Sequence, residues 1–253
     1  MQADLTELRL ARTPITSARS RRSGIERFRV AAWDSAGAPR LFLGAVYAEE
    51  VTNVLVALPD RMHVEHPHAV LYIVTRAAGE QALPLAEAID ALVARRLVPP
   101  VITVLVDRCD EELVGALVPH IDRYLPTMPM RDARSLIGIG ADGMAAVALG
   151  IGLPEVFGSV QSWHGTADSE LLARLNVLLG RLRQESNQRL FLASGIVGDP
   201  ADAATTAVAD ELHRLHRPFI LSQAGSSASR STPWSMLLPT ALRSALRRAL
   251  WPA

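Results

Sequence analysis

Residues 135–146 read Ser-Leu-Ile-Gly-Ile-Gly-Ala-Asp-Gly-Met-Ala-Ala. A short apolar run, Leu136–Ile139, is too brief for a helix. It meets a glycine-rich turn at Gly140–Gly143 and then small residues at Ala145, Ala146 and Ala148. Glycine permits a sharp turn, and alanines let a helix lie close to the strand it has just left. A buried strand that turns straight into a close-packed helix predicts a mostly parallel sheet covered by helices.

The flanking chain carries the same alternation. Ala69–Val74 and Val101–Val106 are continuous apolar runs, as expected of strands buried on both faces. Between them Pro84–Arg96 places Leu85, Ile89, Leu92 and Val93 at helical spacing, and Val98-Pro99-Pro100 ends it. Asp110–Tyr124 follows with Leu113, Leu117 and Ile121 on one face. After the central stretch come a strand at Phe157–Trp163 and a helix at Glu170–Arg183, with Leu171, Leu172, Leu175, Leu178, Leu179 and Leu182 inward. A strand at Arg189–Ala193, a helix at Asp199–Leu215, a strand at Pro218–Ser222 and a closing helix at Trp234–Leu250 complete the pattern. Upstream, Arg27–Trp33, Leu41–Tyr47 and Val51–Leu58 read as antiparallel strands at the start of the sheet. The expected architecture is a three-layer αβα sandwich, a mostly parallel sheet with antiparallel N-terminal strands.

A chain of 253 residues, 49% hydrophobic and 21% charged, suits one α/β domain with a full core. That domain is expected over residues 26–253, after an arginine-rich, partly ordered leader at 1–25 with Arg9, Arg12, Arg19, Arg21 and Arg22. Acidic residues interspersed in the leader, and the lack of interleaved aromatics, argue against a nucleic-acid arm. Zero formal net charge gives no bulk attraction to nucleic acid or a membrane. One cysteine, Cys109, allows no intrachain disulfide and no thiolate zinc cluster. No apolar run reaches transmembrane length, and no signal-peptide pattern opens the chain, so a cytoplasmic location is expected. All 26 basic residues are arginine, which fits a GC-rich bacterial source.

From Val51 onward the order of elements resembles the enterochelin-esterase family of α/β-hydrolases and its esterase D-like relatives. Three stretches carry the resemblance. They are Val98–Asp107, the central stretch with its continuation Leu153-Pro154-Glu155-Val156-Phe157-Gly158-Ser159, and Leu190–Gly195 with the elements up to Trp234. The resemblance implies an α/β-hydrolase-like fold with a nucleophile elbow, the strand–turn–helix that presents a serine as G-x-S-x-G. It also implies a histidine in a loop before the last helix and an acid after the fifth central strand. Serine attacks, histidine takes its proton, and the acid orients the imidazole.

On those positions this chain departs from the family. The elbow centre is Gly140, which has no side chain to attack anything. The histidine position falls between Ser226 and Ser229, in Ala224–Arg230, where no histidine occurs. The acid position could be filled by Asp199, which also suits a helix cap. The family's substrate loop after the second central strand looks deleted, because Asp107-Arg108-Cys109-Asp110-Glu111 runs almost directly into a helix.

Other residues could carry rebuilt chemistry. Asp142, two residues past the elbow centre, reads either as an acid or as a capping carboxylate at the helix N-terminus, where the dipole favours negative charge. His164, just after the fourth strand, reads either as a relocated base or as a polar loop residue. His63, His66 and His68 are close in sequence but lack the carboxylates of a metal site, and no metal or other cofactor is expected. His213 and His216 suit surface roles. Ser162 and Cys109 lack an evident activating partner. Ala141, Trp163 and Trp234 are candidate pocket residues, although core packing explains the tryptophans equally well.

Three functional readings follow. The first is a non-hydrolytic pseudo-esterase that binds a small molecule or a protein partner. The second is an enzyme with a rebuilt site, such as a lyase, cyclase or isomerase of bacterial secondary metabolism, using Asp142 or His164 as acid/base. The third is an oligomeric scaffold, suggested by Leu237, Leu238, Leu242, Leu246, Leu250 and Trp251 in the closing helix.

Overall fold

A computed structural model describes residues 24–25, 29–33, 39–47, 50–59, 66–76, 83–108, 110–181, 187–194, 200–223 and 234–246. Strands β1 (Gly24–Ile25), β2 (Arg29–Trp33), β3 (Pro39–Tyr47) and β4 (Glu50–Ala57) come first. Alternation follows: β5 (Ala69–Val74), α1 (Leu83–Ala94), β6 (Val101–Val106), α2 (Glu111–Tyr124), β7 (Arg134–Ile139), α3 (Gly143–Gly152) and β8 (Ser159–Trp163). The chain continues through α4 (Ser169–Arg181), β9 (Arg189–Ser194), α5 (Pro200–Arg214), β10 (Ile220–Gln223) and α6 (Trp234–Ala245).

The strands form one sheet in the order β1-β3-β4-β6-β5-β7-β8-β9-β10, with β2 paired to β3. From β6 to β10 neighbouring strands run parallel. The upstream pairs β1–β3, β2–β3, β3–β4 and β4–β6 are antiparallel. The expected antiparallel entry to a parallel sheet is therefore present. The sheet also begins earlier than residue 26, because Gly24 and Ile25 pair with Val46 and Ala45.

Chain direction decides which helix covers which face. The step from β5 to β6 goes one way across the sheet, and the step from β6 to β7 returns past β5. Right-handed crossovers then put α1 and α2 on opposite faces. Accordingly Leu85, Ile89 and Leu92 of α1 share a core with Leu238, Leu242 and Leu246 at α6. On the other face Leu117 and Ile121 of α2 join Val147, Leu175, Val208 and Leu212 from α3, α4 and α5. The central strands feed both cores alternately: Val70, Tyr72 and Val74 face one, Leu71 and Ile73 the other. This two-sided burial is why their sequences lack polar alternation.

Some edges of the sequence reading shift. Phe157 and Gly158 precede β8 rather than belong to it, because the Gly158 N–H donates to the Arg131 and Arg134 carbonyls at the start of β7. In α4 only Leu175 and Leu179 are buried, while Leu171, Leu172 and Leu178 are half-buried and Val177 is exposed. Leu182 lies outside the described residues, as do the leader through residue 23 and the stretch 247–253.

A polar set fastens α6 to the sheet. The Arg189 guanidinium donates to the carbonyls of Ser244 (3.2 Å) and Ala245 (2.8 Å), and Ser135 Oγ donates to the same Ala245 carbonyl at 3.0 Å. Gln161 Nε2 donates to the Ala241 carbonyl at 2.8 Å. A cation at the helix C-terminus meets carbonyls that have no partner inside the helix.

Candidate functional site

The reversal of strand order marks the carboxyl ends of β5, β6 and β7 as the candidate site, the usual ligand position in such sheets. The turn from β7 into α3 stands at its centre. Gly140 has φ +64°, the left-handed conformation. A Cβ built on Gly140 would meet nothing within 4 Å. The three residues Gly140–Asp142 form a tight 3₁₀ turn, and α3 begins at once.

The glycines around it are there for the opposite reason. A Cβ on Gly138 would lie 2.6 Å from both the Ala146 Cβ and the Asp142 carbonyl. On Gly143 it would lie 2.5 Å from the Gly165 Cα, and on Gly150 it would strike Val160 of β8 at 2.5 Å. Strand, turn and helix thus touch backbone to backbone, which only glycine and alanine allow. The β8–α4 connection is held to β9 and to the turn: the His164 N–H donates to the Ala193 carbonyl (2.8 Å) and the Thr166 N–H to the Gly140 carbonyl (3.4 Å).

Charge near the turn comes from Asp142 and Arg76. Asp142 Oδ1 lies 3.7 Å from Arg76 Nε, with the Asp142 side chain 21% exposed and that of Arg76 78% exposed. Asp142 Oδ2 is buried and has no hydrogen-bond partner among the described residues. At the end of β6 the short connection to α2 is bridged by Arg108 and Asp110 at 3.2 Å. The carboxyl ends of these strands therefore present a partly buried carboxylate oxygen, two arginines and an open space over a left-handed glycine. Such a set can accept and donate hydrogen bonds and bind charge.

Solved structures with this fold include hydrolases. The ferric enterobactin esterase of Salmonella typhimurium superposes with a TM-score of 0.69 at 17% identity, over 88% of this chain and 61% of its own. The enterobactin esterase of Shigella flexneri gives 0.66 at 20% identity, over 81% and 58%. A fluorophosphonate-binding serine hydrolase of Staphylococcus aureus gives 0.64 at 10% identity, over 81% and 97%. The chain has an α/β-hydrolase fold. Within that fold it resembles the enterochelin esterases, of whose matched chains it spans about three fifths. No protein-family model matches the chain, and no curated protein matches it.

The α/β-hydrolase frame locates the sequence-predicted residues. Gly140 and Ala141 lie in the elbow turn, Ala141 exposed. Asp142 occupies the N-cap position of α3, but its side chain makes no cap hydrogen bond. The capping role is thereby corrected. Asp142 closes the 3₁₀ turn with φ −92° and ψ −3°, outside the extended geometry typical of a capping residue, and its carboxylate pairs with Arg76 instead. His164 is half-buried beside the turn, itself left-handed at φ 54°. Trp163 is a second correction. It is fully buried in the α1/α6-side core, and its indole N–H donates to Gln161 Oε1 at 2.9 Å, so it packs the core and walls no pocket. Trp234 is the first residue of α6, and its side chain lies outside the described residues. So do Asp199, Ser226, Ser229 and Cys109. Ser162 Oγ is buried against Gly143 and Gly165.

Of the histidines, His66, His213 and His216 are exposed, and the His213 ring packs edge-on against Phe219. His68 is buried, bridging Thr127. Among the described residues no helix is long and apolar enough to cross a membrane. The sequence reading missed Arg76. Its signal was position: a cation two residues past a fully apolar central strand stands at the carboxyl end of the sheet.

Proposed function

We propose that this chain is a pseudo-esterase, an α/β-hydrolase fold without serine-hydrolase chemistry whose crevice binds a small molecule or a protein partner. Gly140 carries the reading. It holds the left-handed conformation of an elbow nucleophile with open space above it, and it has no side chain. The absence of histidine from residues 224–230 supports it, since a serine without a base is a weak nucleophile. The four-residue connection from β6 to α2 leaves no room for the family's substrate loop.

The test is hydrolysis of chromogenic short-chain esters alongside labelling with a serine-directed fluorophosphonate. No turnover and no adduct are expected. Turnover that disappears on mutating a labelled serine overturns the reading.

One observation favours a second reading, an enzyme with a rebuilt site. Asp142 Oδ2 is a buried acceptor without a hydrogen-bond partner among the described residues, the state of a general base awaiting a substrate proton. If so, any turnover found in a substrate screen vanishes in Asp142→Asn. The scaffold reading has less support, because Leu238, Leu242 and Leu246 are occupied in the core.

A further inference from the structure

Away from the elbow, α2 and the turn that follows α3 enclose a groove of about 710 Å³, the size of a small-molecule site. Val114 and Val118 of α2 are buried beneath it, and Leu153 and Val156 of the turn form the facing wall. Two further lining residues change what α2 offers. Pro119 lies inside the helix, and a proline has no N–H for the carbonyl four residues back. That carbonyl belongs to Gly115, on the same helix face. Gly115 is exposed, and a Cβ built there would meet nothing within 4 Å. The groove therefore has at its edge a backbone acceptor that has lost its helical donor and is covered by no side chain of its own.

The lining as a whole carries three acids against two arginines. Glu111 stands one turn before Gly115 on the same face, and Glu155 belongs to the facing wall. Both are exposed, and neither forms an ion pair among the described residues. The third acid, Asp122, is neutralised by its ion pair with Arg134. Arg123 holds its guanidinium over the Tyr124 ring, 5.6 Å from its centre, and Tyr124 is not part of the lining. A bare acceptor with two acids calls for a cation that donates hydrogen bonds, and the apolar walls call for an apolar body. A primary ammonium brings three donors and a positive charge, whereas a carboxylate brings neither.

We infer that this groove is a binding site for a primary amine with an apolar body, an arylalkyl- or alkylamine of small-molecule size. The ammonium group donates to the Gly115 carbonyl, with Glu111 and Glu155 supplying the counter-charge, and the apolar part lies on Val114, Val118 and Val156. The site is separate from the elbow, since none of residues 138–143 lines it.

The experiment irradiates the full chain with para-(aminomethyl)benzophenone or, as the matched anion, para-benzoylbenzoate, and maps the adducts by mass spectrometry. Amine adducts are expected on residues 111–119 or 153–156, with the carboxylate yield there about tenfold lower. Two variants separate recognition of the amine from apolar contact alone. The double variant Glu111→Gln/Glu155→Gln changes exposed side chains and should cut the amine yield about fivefold. Pro119→Ala gives the Gly115 carbonyl a helical donor, so it should raise the melting temperature and cut the amine yield about threefold. Amine adducts only elsewhere, no adduct, equal yields from the two probes, or an unchanged amine yield in either variant would each overturn the assignment.

Discussion

The elbow and the α6 anchor sit on opposite ends of the same sheet and treat buried polar groups differently. At the anchor Arg189, Ser135 and Gln161 reach carbonyls of Ser244, Ala245 and Ala241, and the Trp163 indole N–H meets Gln161. The bonds to the three carbonyls join parts of the chain that are far apart in sequence. At the elbow Asp142 Oδ2 and Ser162 Oγ are buried without a hydrogen-bond partner among the described residues. Folding tolerates such groups rarely, because an unmet buried acceptor costs about 1–3 kcal/mol. Polar groups at the anchor hold the fold together. At the elbow Asp142 Oδ2 lies beside a turn with open space over Gly140, whereas Ser162 Oγ is packed against Gly143 and Gly165.

The contrast is sharpest among the glycines, and the largest effect is expected there. Gly138→Ala forces a Cβ into backbone at 2.6 Å, and Gly143→Ala does the same at 2.5 Å. Each should cost about 3 kcal/mol and lower the melting temperature by about 10 °C. A melting shift within a degree or two would show that strand and helix can separate.

Next is the anchor. Arg189→Ala removes a charged donor from two carbonyls at the end of α6, and thermal or urea denaturation should show a loss of about 2 kcal/mol. Gln161→Leu should lose about 1–2 kcal/mol, since it orphans both the Trp163 N–H and the Ala241 carbonyl. If both variants melt like the parent, the anchor is no more structural than the elbow and the comparison breaks.

Gly140→Ser tests the vacant side. Space is free around the new Cβ, so the cost is the left-handed backbone alone, about 1 kcal/mol. The variant should fold, and ester hydrolysis should stay at background for want of a histidine. Hydrolysis restored by this one change would mean that a base is already in place.

Asp142→Asn should be smallest, within about 0.5 kcal/mol, because Arg76 is mostly solvated and such a pair is screened. A loss several times larger in denaturant titration would make Asp142 a structural group rather than one left available.

Much of this was legible in the chain. Ala69–Val74 and Val101–Val106 appear as strands with the same limits, because burial on both faces writes itself as an unbroken apolar run. Gly140 was legible as the centre of a turn, since G-x-G after such a run leaves few alternatives. Trp163 was not: an aromatic at a strand end reads alike as pocket wall or core until the packing of α6 against β8 decides. Asp142 read as a cap because sequence shows its place before the helix but not the 3₁₀ turn that aims its carboxylate at Arg76.

By itself, then, the sequence determined the order of strands and helices, the presence of glycine rather than serine at residue 140, and the lack of histidine in residues 224–230. These are local matters of side-chain period, turn chemistry and composition. The tertiary structure alone decided that a Cβ is impossible at Gly138 yet unopposed at Gly140, that Arg189 closes α6, and that the Asp142 carboxylate pairs with Arg76. Each depends on groups far apart in sequence being brought within a few ångströms, and no local pattern carries that information.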